Sequence, residues 1–163
     1  MEEGNNKMKI KILQTEEVPK AVQLARGIFE YCLRNTINEA QLIESFYTYV
    51  REENIRQLME AQKLILWAAY DEQNNMVAVS GMQSEGHITL LYVLPYFQRR
   101  GYGKKLLLTM REYAREKLEL AQVTVNAMPA WTASYFAKNK FKAVQNPQPV
   151  PYVSVSYTHL RAH

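Results

Sequence analysis

The residues best equipped for chemistry lie between Gln98 and Lys105, which read QRRGYGKK. Arg99, Arg100, Lys104 and Lys105 place four cations within seven residues, two glycines sit among them, and an apolar helical pattern follows at once. A helix N-terminus leaves N–H groups unpaired and carries the positive end of the macrodipole, so such a turn is an anion site. Gly101 and Gly103 let the backbone approach a ligand with no side chain between them. The ligand this chemistry suits is a phosphorylated one.

These groups need a strand before the turn and a helix after it. His87 to Leu94 is an apolar run stopped by Pro95. Its alternation predicts Ile88, Leu90, Tyr92 and Leu94 on one face and His87, Thr89, Leu91 and Val93 on the other. Behind the turn, Leu106, Leu107, Met110, Tyr113, Ala114 and Leu118 recur at helical spacing. Upstream, Lys9 to Leu13 reads as a short strand. Thr15 reads as the N-cap of a helix bearing Val18, Val22, Ala25, Phe29 and Cys32. A second helical region, Asn38 to Gln62, should break near Glu52-Glu53-Asn54. Leu64 to Tyr70 and Met76 to Gln83 are strands about the loop Asp71 to Asn75. Downstream come a strand Ala121 to Asn126, a helix Trp131 to Asn139, a strand Phe141 to Val144, a turn Asn146 to Pro149 and a last strand Tyr152 to Thr158. His159 to His163 shows no core pattern, so the domain is read as residues 1–158 with a tail at 159–163 that need not be native.

Length and composition fit one domain. A chain of 163 residues buries about 70% of its unfolded surface, and 47% hydrophobic with 22% charged residues is ordinary for a globular protein. A net charge of +4 permits an anionic ligand without demanding a nucleic acid. One cysteine, Cys32, excludes an internal disulfide. The polar start lacks the apolar core of a secretory leader, and no run reaches the roughly 18 apolar residues of a membrane span. The expectation is a cytoplasmic protein without a membrane partner, monomer or homodimer.

Gln98-Arg99-Arg100-Gly101-Tyr102-Gly103 resembles the Q/R-x-x-G-x-G/A pattern of the GNAT superfamily of acyl-CoA N-acyltransferases. The strand ending Leu91-Tyr92-Val93 before it, the leucine-rich helix after it, and the later strand and Tyr-Phe helix match the same family over about Leu64 to Phe141. The resemblance implies a single α/β (α+β) domain with a mixed central sheet of about six or seven strands and about four flanking helices. The two central parallel strands should splay apart near Pro95. It implies acetyl-CoA as co-substrate, with no metal. The diphosphate would lie on Gln98, Arg99, Arg100, Gly101, Tyr102, Gly103 and Lys104. The thioester carbonyl and pantetheine arm would meet backbone around Leu91, Tyr92 and Val93, with the arm pairing as an added strand would. A backbone donor aimed at a developing oxyanion is worth about 2.7–4 kcal/mol. Asn126 either lines this groove or caps its strand end.

The proton route departs from the family pattern. Members with F-Y-x-K-x-G-F use its tyrosine to protonate the leaving thiolate. Here the stretch is Ser134-Tyr135-Phe136-Ala137-Lys138-Asn139-Lys140-Phe141. The family position is held by Phe136, Tyr135 stands one residue earlier, and Lys140 replaces the glycine. One residue is a helix rotation of about 100°, and the expectation is that Tyr135 still reaches the sulfur. The Tyr-Phe order resembles histone-acetylating members, whose glutamate base falls at His87. His87 is then the alternative base, although about 13 Å of strand from Leu91 requires a water relay. Glu85 is a weaker alternative, and water itself can protonate the thiolate.

The leading expectation is an enzyme moving acetyl from acetyl-CoA to a primary amine, on a small molecule or a protein, by direct transfer in a ternary complex. The alternative is a GNAT-fold domain that binds acyl-CoA as a sensor with little catalysis. A nucleic-acid module using Tyr96, Phe97 and Tyr102 beside the cations is disfavoured, because the basic cluster is confined to one turn.

Overall fold

The computed structural model describes residues 8–145, 152–158 and 160. They form seven strands and five α-helices in the order β1 (Lys9–Ile12), α1 (Val18–Ile28), α2 (Ala40–Tyr49), α3 (Glu52–Glu60), β2 (Leu64–Tyr70), β3 (Met76–Gln83), β4 (His87–Val93), α4 (Tyr102–Glu116), β5 (Val123–Ala127), α5 (Ala133–Lys138), β6 (Lys142–Val144) and β7 (Val153–Tyr157). The sheet order is β1-β2-β3-β4-β5-β7-β6. Every neighbouring pair is antiparallel except β4–β5. The fold is the mixed α/β sheet expected, with one helix more than anticipated. The expected turn at Asn146 to Pro149 lies outside the described residues.

Two apolar layers hold the sheet. Leu106, Leu107, Met110 and Ala114 of α4 and Phe136 of α5 pack on one face. Val18, Val22 and Ala25 of α1, Phe46 of α2 and Ile55 of α3 pack on the other. Phe29 and Phe46 stack with ring centroids 3.9 Å apart, which fastens the chain after α1 to α2.

The structure corrects four expectations. Thr15 is not the N-cap of α1: it opens a 3-10 turn capped by Gln14, whose N–H donates to the Glu17 carboxylate at 2.9 Å, and Glu17 holds the N-cap position of α1. The break between α2 and α3 falls at Val50 and Arg51, ahead of the acidic pair, which supplies the first turn of α3 instead. Leu160, assigned to the tail, is 6% exposed and lines a shallow groove with Leu108 and Tyr157. Of these two neighbours Leu108 is distant in sequence, so the local pattern alone does not announce its burial.

The fourth correction matters for the site. β3 pairs Gly81 with Leu90 and Met82 with Ile88, leaving Thr89 as an extra residue in β4. A bulge puts its two adjacent side chains on the same side. Thr89 and Leu90 therefore both face α1 and α2, while Ile88 joins Leu91 and Val93 on the α4 side. Strict alternation, which grouped Ile88 and Leu94 with Leu90 and Tyr92, fails at this residue and again at Leu94, which joins Leu91 and Val93 where the strand ends. Among the described residues, no helix is long and apolar enough to cross a membrane.

Candidate functional site

The turn between β4 and α4 is built as an open end. The first helical bond of α4 runs from the Lys105 N–H to the Gly101 carbonyl at 2.9 Å. The amides of Tyr102, Gly103 and Lys104 thus lie ahead of any helical acceptor. Gly101 adopts φ 92, the left-handed region that favours glycine. Arg99 also lies there, at φ 63, so a residue that pays for this backbone carries one of the cations. Arg99, Arg100, Lys104 and Lys105 are all exposed. The Arg100 guanidinium lies 4.3 Å from the Tyr96 ring centroid, a cation–π contact on the rim of the turn. Two predicted site residues play other parts. The Tyr102 side chain is buried in the core against Phe97, leaving only its amide for a ligand. The Gln98 amide donates to the Val93 carbonyl at 2.9 Å, bracing the turn against the end of β4.

Beside the turn, β4 and β5 part. Their pairing covers only His87 with Thr124 and Ile88 with Val125, although β4 continues to Val93 and β5 to Ala127. The Leu94 N–H donates to the Val77 carbonyl at 3.0 Å on the β3 side. Strand groups alternate edges with a period of two. The Tyr92 amide is therefore turned to β3, while those of Leu91 and Val93 face the opening. Of the three expected backbone donors, two are aimed there. Asn126 lies on β5 across the gap, exposed, and its side-chain Oδ1 accepts the Ser154 hydroxyl at 3.0 Å.

Tyr135 reaches this place. A Cβ built on Gly103 would stand 2.9 Å from the Tyr135 hydroxyl and 3.6 Å from a Val93 methyl. That hydroxyl is buried, and with the Ser80 hydroxyl it is one of the two buried side-chain oxygens without a hydrogen-bond partner among the described residues. Burial raises the Tyr135 phenol above its ordinary pKa, and the Arg111 guanidinium partly offsets the rise.

The profile of the acetyltransferase (GNAT) domain matches residues 33–154. The chain belongs to the GNAT acetyltransferase family. It is an acyltransferase. No curated protein matches it by sequence. Solved structures share the GNAT fold at low identity. The PaiA N-acetyltransferase of Thermoplasma acidophilum, in complex with coenzyme A, superposes with TM-score 0.77 at 14% identity over 93% of this chain and 99% of that one. A GCN5-related N-acetyltransferase from Rhodopseudomonas palustris gives 0.77 at 18% over 93% and 96%. A spermidine N-acetyltransferase from Vibrio cholerae gives 0.64 at 11% over 94% and 95%.

Within this GNAT domain the displaced tyrosine is explained by what its neighbour does. Phe136 is buried in the core, 5.5 Å from the Phe141 ring, so Tyr135 takes the side of α5 facing Gly103. Lys140 holds φ 76, so where the family pattern has glycine the backbone adopts a left-handed bend that favours glycine, with a side chain on it.

His87 sits on the opposite face, half-buried, its Nδ1 2.7 Å from the Thr124 hydroxyl. Desolvation lowers its pKa, with the Glu85 carboxylate partly opposing, so the imidazole is neutral at pH 7. The Tyr49 and Thr89 hydroxyls, 2.9 Å apart, extend this polar line toward α2. Sequence reading placed Thr89 on the face of His87 but passed over Thr124, which meets His87 only through the parallel pairing of β4 with β5 and has no local motif to mark it. Among the described residues, no three His, Cys, Asp or Glu side chains gather as a metal site.

Proposed function

We propose that this GNAT domain transfers an acetyl group from acetyl-CoA to a primary amine by direct attack in a ternary complex. The observation that carries the reading is the Tyr135 hydroxyl, buried without a partner against Gly103 at the foot of the open strand pair. A buried hydroxyl left unmatched costs about 1–3 kcal/mol, and a ligand atom in the gap would supply the match.

The residues present fit coenzyme A. The free amides at the start of α4, with Arg99, Arg100 and Lys104 around them, suit a diphosphate. The open edge of β4 at Leu91 and Val93, facing Asn126, suits the amides of a pantetheine arm. Acetyl-CoA would bring the thioester that is split, its acetyl carbon passing to the amine nitrogen as the sulfur departs. Tyr135 donates a proton to the departing thiolate, because its hydroxyl has no other acceptor. The Leu91 and Val93 backbone orients the thioester carbonyl. His87, neutral and on the face of α1 and α2, relieves the incoming ammonium of its proton through water. The displaced tyrosine had favoured a non-catalytic acyl-CoA sensor, and the position of its hydroxyl supports catalysis instead. A cytoplasmic location accompanies the reading, on the single cysteine.

The test is CoA release from acetyl-CoA across a panel of primary amines that includes polyamines, since one structural neighbour is a spermidine N-acetyltransferase. Amine-dependent release, lost in Gly101→Asp with folding intact, supports the proposal. Tight acetyl-CoA binding with no release for any amine supports the sensor.

A further inference from the structure

Tyr135 is held where it is by a residue that touches no part of the turn. α5 has only six residues, too short to fix its own rotation by helical bonds, and its far end is tied down from α4. The Arg111 guanidinium donates to the Asn139 carbonyl at 2.7 Å. The Asn139 side-chain amide in turn donates to the Tyr135 carbonyl at 2.9 Å. Two bonds thus connect a half-buried cation on α4 to the backbone of the tyrosine itself. The guanidinium has little freedom. It lies 4.1 Å from the Tyr157 ring centroid and 6.0 Å from that of Phe141. Stacking on β7 from one side and capping α5 from the other, it fixes the distance between α4, which carries Gly103, and α5, which carries Tyr135.

The geometry points to Arg111 as a positioning residue that keeps the Tyr135 hydroxyl against Gly103 and directed into the gap between β4 and β5. The inference rests on the reading of Tyr135 as the group that meets the thiolate. A one-residue shift of the tyrosine relative to the family pattern makes the rotation of α5 decisive. At about 100° per residue, a loosened C-terminus would swing the hydroxyl away from Gly103. Burial and the aromatic stack also keep Arg111 close to Tyr135. From α4 it is the charged group acting on that phenol, and the acidic groups acting on Arg111 are Tyr157 of β7 and Tyr135 of α5.

The experiment uses CoA itself as the probe and needs no acceptor. The thiol of CoA bound to the full chain is titrated by its thiolate ultraviolet absorbance in wild type, Arg111→Met, Arg111→Lys, Tyr135→Phe and Arg111→Met/Tyr135→Phe. Thermal melts are recorded beside each titration. A free thiol titrates near 8.5, and a hydrogen bond from Tyr135 to the thiolate lowers that value. Arg111→Met is expected to raise the bound thiol's pKa by about one unit, close to the value in Tyr135→Phe. It should add no further shift in the Tyr135→Phe background. Arg111→Lys, which keeps a charged donor, should restore part of the wild-type value.

A wild-type titration in Arg111→Met overturns the inference, and so does an equal shift with and without Tyr135, since a merely structural residue would act in both backgrounds. If Tyr135→Phe itself titrates like wild type, the Tyr135 reading fails separately. Should Arg111→Met not fold, Arg111→Gln, whose amide still reaches toward Asn139, takes its place. There a smaller shift that vanishes in Tyr135→Phe supports the inference, and one independent of Tyr135 overturns it.

Discussion

Tyr135 and Gly103 are in contact through a missing side chain: the space in which a Cβ of residue 103 would stand is 2.9 Å from the Tyr135 hydroxyl. The glycine that opens the anion turn therefore also makes room for the candidate acid. On the proposed reading, the two halves of the site, one for a diphosphate and one for a proton, meet at this pair.

Replacing Tyr135 by Phe should separate stability from activity. The variant loses a buried hydroxyl that has no partner, so the ligand-free protein should melt at the wild-type temperature or above it. The maximal rate with acetyl-CoA and an accepted amine should fall about 100-fold or more, with CoA affinity nearly unchanged. Calorimetric melting and steady-state kinetics on the same preparation check both. A variant as active as wild type removes Tyr135 from the mechanism.

Gly103→Ala should mimic that loss without touching the tyrosine. The new methyl would collide with the Tyr135 hydroxyl, the end of a side chain that can move aside. Helix propensity favours Ala over Gly by about 1 kcal/mol, so the fold should not suffer. The expected result is an unchanged or higher melting temperature with a lower maximal rate. A rate equal to wild type would mean that the tyrosine's place is immaterial.

Lys140→Gly should stabilise the domain. Lys140 is held at φ 76, where a side chain costs roughly 1–2 kcal/mol. Relief of that strain, less the added flexibility of glycine when unfolded, should gain about 1 kcal/mol in chemical denaturation. Lys140→Ala keeps the strained Cβ and should show no such gain.

His87 sets a pH dependence whose sign is fixed by its burial. Its folded pKa lies below the ordinary value, so the folded state binds this proton less readily than the unfolded chain. The associated stability is fully present above about pH 6.5. It is lost as pH falls through the depressed folded value. His87→Gln should flatten this slope in melts compared between about pH 7.5 and 5. If His87 also takes the acceptor's proton, the same variant should remove the acid limb of the rate profile.

The parts of the molecule written locally were legible. Leu64 to Tyr70 and Met76 to Gln83 are strands over the residues expected, because apolar runs bounded by a polar five-residue loop have few other options. The strand, turn and helix around Gly101 were legible because Pro95 stops one apolar run and a leucine-rich helical pattern begins just beyond the glycines. The bulge at Thr89 was not. An extra residue in a strand changes no composition, and only the pairing partner reveals it. Arg111 was equally hidden, since its bond to Asn139 spans 28 residues and joins two elements whose docking no local pattern specifies.

The parting of β4 from β5 gives the molecule a mechanical character. Strands β1 to β4 form one plate and β5, β7 and β6 another, joined in the sheet by only two residue pairs. On the proposed reading, a pantetheine arm in the gap is mortar between these plates, bonding to main chain on both sides. A ligand at 100 times its dissociation constant adds about 2.7 kcal/mol to stability. It also covers an unpaired strand edge that would otherwise be a template for another chain. Starved of its thioester, the protein should be both the softer form, with fast amide exchange at Leu91 and Val93, and the stickier one.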